Sequence, residues 1–155
     1  MTPAQVSQID PPADIRALST LPIVDYADAF TVTGGPGECT PEQWAQAVLS
    51  SAPRPIRFKL VAAWTLLGLR LGRRPPGQRV LGWRVRQRTP DHLLLGAGSR
   101  LGLPAELLFR RTPDGLLFAT FVRQRSRLAR ALWPRIIPGH QRTVAALLTH
   151  GARRL

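Results

Sequence analysis

The sequence has few of the residues from which metal and disulfide sites are usually built. Its 155 residues include one cysteine, Cys39, and three histidines, and asparagine is absent. A lone cysteine excludes an intramolecular disulfide framework and a cysteine-rich metal site. His140 and His150 lie ten positions apart on one predicted helix, so their side chains point in different directions and are not expected to share a metal. The sequence therefore predicts no metal and no other cofactor.

Motifs that name a reaction are also missing. The chain has no Gly-x-Ser-x-Gly sequence, and Cys39 has no base near it in the sequence, so a nucleophilic enzyme is not expected. Glu106 interrupts an otherwise apolar segment, and an inward carboxylate there would suit general acid–base chemistry. If Leu107 and Phe109 point inward, however, alternation along a strand places Glu106 outside, in solvent or paired with an arginine. We favour the second interpretation and assign no catalytic residue.

The amino terminus lacks the features of a secretory signal. No basic residue precedes Arg16, and no apolar core follows it. The longest apolar run, Leu60 to Leu69, is about half the ~20 residues needed to cross a bilayer. We therefore expect a cytoplasmic protein.

Acidic residues are scarce and unevenly placed. The chain has 22 Lys+Arg against 9 Asp+Glu, a formal net charge of +13. Six of the nine carboxylates lie in residues 1–42, where Arg16 is the only cation, so the remainder is strongly basic. A basic surface favours anionic partners. The candidate anion-binding residues are Arg73, Arg74, Arg84, Arg86, Arg88, Arg127 and Arg130.

The first half of the chain predicts an arm, a strand and two helices. Residues 1–20 are weakly patterned and predict a loosely ordered N-terminal arm. Residues 24–33 alternate and predict a strand. Thr40-Pro41-Glu42-Gln43 combines a capping box with proline at the first helical position, which predicts a helix start. A second helix begins at Pro55, and its apolar residues cover most of its circumference, which predicts a core helix.

The second half predicts a meander followed by a long helix. Residues 79–88 alternate with a period of two, and three further apolar segments end at 99, 109 and 122, giving five predicted strands with the first. The short connections indicate antiparallel pairing. Ser126 caps a final helical region, in which Pro134 predicts a kink or two consecutive helices.

Three segments carry a resemblance to a known superfamily. They are Asp25-Tyr26-Ala27-Asp28-Ala29-Phe30, Leu81-Gly82-Trp83-Arg84-Val85 and Leu128-Ala129-Arg130-Ala131-Leu132-Trp133-Pro134. With the order of elements, they make residues 20–152 similar to a small, mostly actinobacterial group within the START/polyketide-cyclase-like (SRPBCC) helix-grip superfamily. The resemblance implies an α+β fold, in which an antiparallel sheet wraps around a long, kinked C-terminal helix, with residues 21–155 forming a single domain.

The resemblance also implies a cavity between the sheet and the C-terminal helix. In that superfamily such a cavity accepts lipids, sterols, polyketides or other apolar molecules, so we expect a non-catalytic carrier or sensor of a hydrophobic small molecule or lipid. The candidate ligand-binding residues are Trp83, Leu95, Phe109, Phe121, Trp133 and His140. Core packing explains the same residues if no volume remains unfilled.

Two alternatives stay open. The arginines predict peripheral contact with an anionic membrane; nucleic acid is not expected, because no nucleic-acid-binding motif is present and aromatic residues are not interleaved with the arginines. A cyclase- or dehydratase-like enzyme is the second alternative that the resemblance implies, with Glu106, His140 and Arg100 as its candidate residues. The sequence leaves the oligomeric state open.

Overall fold

An antiparallel sheet and a long C-terminal helix form the framework of the protein. The computed structural model describes residues 3–34, 38–72 and 78–155. Within those ranges the fold is α+β, as the sequence predicts, and its open sheet has seven strands in the order β1-β2-β7-β6-β5-β4-β3. The strands are β1 (Gln5–Ile9), β2 (Tyr26–Thr33), β3 (Arg79–Val80), β4 (Trp83–Arg88), β5 (His92–Ala97), β6 (Ala105–Thr112) and β7 (Gly115–Val122).

Four helices accompany the sheet in the described ranges. They are α1 (Ala13–Arg16), α2 (Pro41–Ala45), α3 (Arg54–Leu66) and α4 (Arg127–Arg154), and one turn of π-helix, Gln46–Ser50, directly continues α2. The predicted capping box is confirmed, because Thr40 accepts from the backbone of Gln43 while the Gln43 side chain accepts from the backbone of Thr40. In the part of the chain that the structure describes, no helix combines the length and apolarity needed to span a membrane.

The strand count predicted from the sequence is wrong. One added strand is β1, which lies in the segment expected to be a loosely ordered arm and pairs with β2 along its whole length. The other arises because the predicted strand 79–88 is a hairpin: Leu81 and Gly82 both have positive φ, 46° and 90°, and they turn β3 back onto β4. Two consecutive residues with positive φ form the tight turn typical of two-residue hairpins.

Both faces of the sheet are covered. The inner face carries the main core, in which Phe30, Leu95, Phe109 and Leu116 pack with α4 residues such as Leu148. The outer face carries a second apolar cluster of alternate residues from β2, β5, β6 and β7, closed by the N-terminal segment. The outer cluster consists of Ile15, Ala29, Leu94, Leu108, Leu117, Ala119 and Phe121. The N-terminal segment is therefore a structural layer of the fold.

Two helices differ from their sequence predictions. Helix α4 is capped by Ser126 and is one continuous helix from Arg127 to Arg154, although it contains Pro134 and Pro138. The predicted alternative of two consecutive helices is therefore wrong. The expectation that α3 is a core helix is also wrong, because only Leu60 in it is fully buried. Phe58 and Leu66 of α3 are 75% and 80% exposed. Helix α3 therefore covers the fold with one side and presents apolar groups to solvent with the other.

Candidate functional site

A cavity of about 450 Å³ lies between the inner face of the sheet, α3 and α4. Its volume falls within the range of small-molecule sites. Helix α3 supplies Leu60, Ala63 and Trp64, and most of the remaining wall is apolar. The other lining residues are Leu67, Leu69, Trp83, Leu103, Ala105, Leu107, Thr120, Val122, Trp133, Arg135, Ile136, Pro138, Gly139, His140, Arg142 and Thr143. The core is thus not filled by side chains here.

Several polar atoms of the lining residues are buried without a hydrogen-bond partner among the described residues. They are Nε1 of Trp83, Nε1 of Trp133 and Oγ1 of Thr120, and each of these residues is at most 5% exposed. Nε2 of His140 also lacks a hydrogen bond of good geometry. Since an unpaired buried polar group costs about 1–3 kcal/mol, the great majority in native proteins are paired. The three groups of Trp83, Trp133 and Thr120 around one cavity indicate a place for polar atoms of a bound molecule.

A carboxylate stands directly behind this wall. Asp28 of β2 is 3% exposed, and its Oδ2 accepts a 2.6 Å hydrogen bond from the Tyr26 hydroxyl and lies 3.0 Å from Nε2 of His140. The second oxygen of Asp28, Oδ1, is buried without a partner in the described chain. Its neighbour across the β2–β7 ladder is Thr120, whose hydroxyl is also unpaired. The carboxylate and the cavity wall thus share one underbonded region.

Tyr26 links this carboxylate to α4. Its hydroxyl accepts a 3.1 Å hydrogen bond from the Gln141 amide while donating to Asp28. Burial, followed by the hydrogen bond and the negative charge of Asp28, raises the pKa of Tyr26 well above its ordinary value of 10.0. The phenol therefore stays protonated and keeps its donor role throughout the physiological pH range.

Aromatic contacts hold the wall in place. The rings of Trp64 and Trp83 meet edge to face with centroids 5.4 Å apart, which fixes α3 against β4. Trp133 of α4 contacts both Tyr26 and His140 at centroid distances of 5.3 Å. Such pairs contribute about 0.5–1.5 kcal/mol beyond burial, so these rings keep the cavity from collapsing.

The structure brings together three of the six predicted ligand-binding residues. Trp83, Trp133 and His140 line the cavity. Leu95 and Phe109 belong to the inner core but not to the cavity wall. Phe121 lies on the outer face, because β7 places it on the opposite parity from Thr120 and Val122, so its predicted place beside the other aromatics is wrong.

The residues named for an enzyme do not converge. His140 lines the cavity, whereas Glu106 lies on the outer face and Arg100 lines a separate surface depression with Ser126 and Leu128. Glu106 is fully buried and receives hydrogen bonds from Ser19, Thr20 and Arg86. Alternation does place Glu106 outside and an arginine does pair with it, but the N-terminal segment shields it from solvent. The three residues therefore cannot act together on a molecule in the cavity.

The predicted anion-binding arginines are scattered. Arg73 and Arg74 lie outside the described residues. Arg84 and Arg86 line one depression on the outer face with Arg70 and Arg79, which were not in the predicted set. Arg88 pairs with Glu42 at 3.0 Å. Arg127 and Arg130 lie in the first turn of α4, away from that depression.

Sequence reasoning missed several members of the cavity region. Asp28 was not among the predicted site residues, and Trp64 was predicted only as part of a core helix. A signal for Asp28 was available, because Tyr26, Asp28 and Phe30 share one parity and two of these three are aromatic. Among the described residues no group of three or more His, Cys, Asp or Glu is placed to hold a metal.

Comparisons with known proteins identify no family. No protein-family model matches the chain. No curated protein matches it either. The chain is similar to the crystal structure of CalU16 from Micromonospora echinospora with a TM-score of 0.29 and 10% sequence identity, over 97% of this chain and 90% of that one.

Proposed function

We propose that the protein binds a small, mostly apolar molecule in the cavity between the sheet, α3 and α4, and does no chemistry on it. The observation that carries the proposal is a 450 Å³ apolar cavity whose wall contains three buried polar atoms without a hydrogen-bond partner among the described residues. The apolar part of the bound molecule would displace water from the walls of the cavity. Its polar atoms would form hydrogen bonds with the unpaired polar groups there.

The unpaired groups define the polar chemistry of the molecule. The indole groups of Trp83 and Trp133 can only donate, whereas the Thr120 hydroxyl can donate and accept. The molecule therefore carries oxygen acceptors, such as a carbonyl, carboxylate or hydroxyl group. Arg135 and Arg142 are exposed residues that also line the cavity, so an acidic group at one end is favoured over a basic one.

We also propose that the chain is a helix-grip protein of the SRPBCC type and that it acts in the cytoplasm. The support for the first part is the order of elements and the position of α4 against the sheet. The support for the second is the single cysteine, which fits a reducing compartment.

A matched pair of variants tests binding in the cavity. Ala63 lines the cavity, whereas the adjacent Ala62 does not. The probe is laurate, an apolar chain with one carboxylate, and its binding is followed by tryptophan fluorescence and native mass spectrometry. We expect Ala63→Phe to weaken laurate binding by about tenfold or more because the ring occupies the cavity, while Ala62→Phe changes it less than about twofold.

Two controls make the outcome decisive. Dodecanol, which lacks the charge, is expected to bind more weakly than laurate. Organic extraction of the purified protein is expected to release a bound apolar compound, or the empty protein is expected to take up laurate. The proposal is wrong if the wild-type protein carries no compound and binds neither laurate nor dodecanol. It is also wrong if Ala63→Phe and Ala62→Phe bind laurate equally well.

A further inference from the structure

A second depression, of about 400 Å³, lies on the outer face of the sheet, across β4 and β5 from the cavity. Four arginines surround it, together with small residues of β5 and the end of the N-terminal segment. Its lining consists of Thr20, Arg70, Arg79, Arg84, Val85, Arg86, Gly96, Ala97 and Gly98. None of these residues lines the cavity, so the two sites are separate. We call this group of nine lining residues the arginine depression.

The positive charge of the arginine depression is not neutralised by the chain. Arg86 pairs with Glu106 at 3.0 Å, and that carboxylate also accepts from Ser19 and Thr20. Within the described residues, Arg70, Arg79 and Arg84 form no ion pair with a carboxylate. The undescribed positions contain no Asp or Glu, so they supply no counter-charge. Three guanidinium groups therefore face one recess without an anion.

One of these groups is already held in place. Arg79 donates from Nη1 to the carbonyl of Gly82 at 2.7 Å, while its Nε is buried without a partner among the described residues. A buried charged donor without an acceptor is unfavourable, and an oxyanion is the acceptor that satisfies both its charge and its hydrogen bond. Arg79 thus supplies an underbonded group of its own at the recess.

Gly96 and Gly98 leave space for the side chains of Arg86 and Arg70. A Cβ atom at Gly96 would lie 2.0 Å from Nε of Arg86, and one at Gly98 would lie 3.8 Å from Cδ of Arg70. The side chain of Arg86 therefore lies against the bare backbone of Gly96, and that of Arg70 passes close to Gly98, although both residues remain exposed to solvent. That packing concentrates their charge in one place.

Two arginines of β4 and β6 that lie outside the depression are paired with carboxylates. Arg88 pairs with Glu42 and Arg110 pairs with Asp14 at 2.7 Å. A long polyanion needs a continuous basic stripe, whereas a small anion needs a local concentration of donors. The recess offers the second arrangement.

We propose that the arginine depression is a binding site for a phosphate group. Guanidinium groups match the several oxygens of a phosphate through paired hydrogen bonds, and several of them suit its double charge better than the single charge of a carboxylate. The phosphate comes either from a small phosphate ester in solution or from a phosphomonoester lipid headgroup.

Isothermal titration calorimetry with pyrophosphate and with acetate tests the site. Wild-type protein is expected to bind pyrophosphate and to prefer it to acetate. We expect Arg70→Gln/Arg84→Gln to weaken pyrophosphate binding by about tenfold or more, because both removed groups face the recess. The control Arg54→Gln/Arg111→Gln removes the same charge from exposed positions outside the depression and is expected to cost less than about twofold.

Sedimentation with vesicles identifies the source of the phosphate. Retention of wild-type protein on phosphatidylcholine vesicles only when they contain phosphatidic acid, with loss in Arg70→Gln/Arg84→Gln alone, supports a headgroup. Pyrophosphate binding without vesicle retention supports a soluble ester. Laurate binding in the cavity is expected to persist in both double variants, so failure of one site is distinguishable from failure of the other.

Three outcomes would overturn the phosphate site. The first is absence of both pyrophosphate binding and vesicle retention in the wild-type protein. The second is an equal loss in the two double variants, which would mean that only overall charge matters. The third is much tighter binding of a single-stranded oligonucleotide than of pyrophosphate, with the depression contributing no more than the control positions.

Discussion

Asp28 and Glu106 are carboxylates buried on opposite faces of one sheet, and they differ in how completely they are bonded. Both oxygens of Glu106 are used: Oε1 accepts from Ser19 and the Thr20 backbone, and Oε2 accepts from Thr20 and Arg86. Asp28 has all its contacts on Oδ2 and none on Oδ1 among the described residues.

The difference separates a structural role from a binding role. A buried carboxylate that is paired and fully hydrogen-bonded holds together the segments that supply its donors, here β4, β6 and the N-terminal segment. A carboxylate that keeps a free oxygen beside other unpaired groups, such as Thr120 and Trp133, retains bonding capacity that the fold itself does not use. Under the proposed function, the outer carboxylate serves the fold and the inner one leaves bonding capacity beside the cavity.

Removing the charge of Glu106 gives the largest expected effect. In Glu106→Gln, the amide nitrogen cannot accept from Thr20 or Arg86, and the arginine loses its counter-ion. We expect the free energy of unfolding to fall by about 3 kcal/mol, measured by urea denaturation. Faster tryptic cleavage after Arg16 is expected as well, because Ser19 and Thr20 lose hydrogen bonds that hold the chain after Arg16 to the sheet.

Glu42→Gln is the matched control for that variant. It breaks the Arg88–Glu42 pair, which has the same 3.0 Å separation but is exposed on both sides. Its expected cost is under about 1 kcal/mol. Equal losses of stability in Glu106→Gln and Glu42→Gln would show that burial and complete hydrogen bonding do not make Glu106 more important than an exposed carboxylate. The contrast between Glu106 and Asp28 would then have no basis.

Gly96→Ala is expected to have the next largest effect, about 2 kcal/mol of destabilisation. The added Cβ would lie 2.0 Å from Nε of Arg86 and would push the guanidinium off β5, away from Glu106. In an Arg86→Ala background the same substitution is expected to be neutral or slightly stabilising, because glycine is a poor strand residue. A double-mutant cycle by urea denaturation measures this coupling, and purely additive effects would contradict it.

The two carboxylates also show which parts of the molecule a sequence can predict. The helix N-caps at Thr40 and Ser126 were predictable because each is encoded within a few neighbouring residues. The outer layer was not, because Ser19 and Thr20 reach Glu106 across more than 80 positions. The sequence of β7 did indicate an outer layer. Its residues are apolar on both faces of the strand, so both faces of the sheet must be covered there.

The cavity was predictable only in part, for a related reason. Trp83, Trp133 and His140 lie on strongly patterned elements, so their inward orientation follows from periodicity. Asp28 breaks its strand's apolar pattern, and polar residues in alternating strands are usually exposed. Its burial depends on Tyr26 and His140, and His140 is contributed by a helix more than 100 residues away in the chain.

The smallest expected effect on stability is that of Asp28→Asn, under about 1 kcal/mol. The asparagine oxygen can still accept from Tyr26, and nothing is lost at the second atom, which already lacks a partner. Tyr26 is the only tyrosine, so absorbance at 295 nm reports its ionisation directly. We expect Asp28→Asn to lower the pKa of Tyr26 without restoring its ordinary value of 10.0, because burial is the largest cause of the shift and remains.

The stability of the wild-type protein in alkali depends on the same phenol. Folding raises the pKa of Tyr26. The protonated phenol therefore contributes fully to the free energy of unfolding below pH 10, where Tyr26 is protonated in both the folded and the unfolded state. This contribution is lost as pH rises through the pKa of the folded state. Few other groups titrate in this range, since the chain has one lysine and one cysteine. Asp28→Asn should narrow the pH range over which Tyr26 stabilises the fold. Asp25→Asn should not, because it removes an equal charge from a side chain that accepts from the Gln124 backbone and is not among the causes of the raised pKa of Tyr26. A loss of stability in Asp28→Asn as large as that in Glu106→Gln would show that the inner carboxylate is structural too.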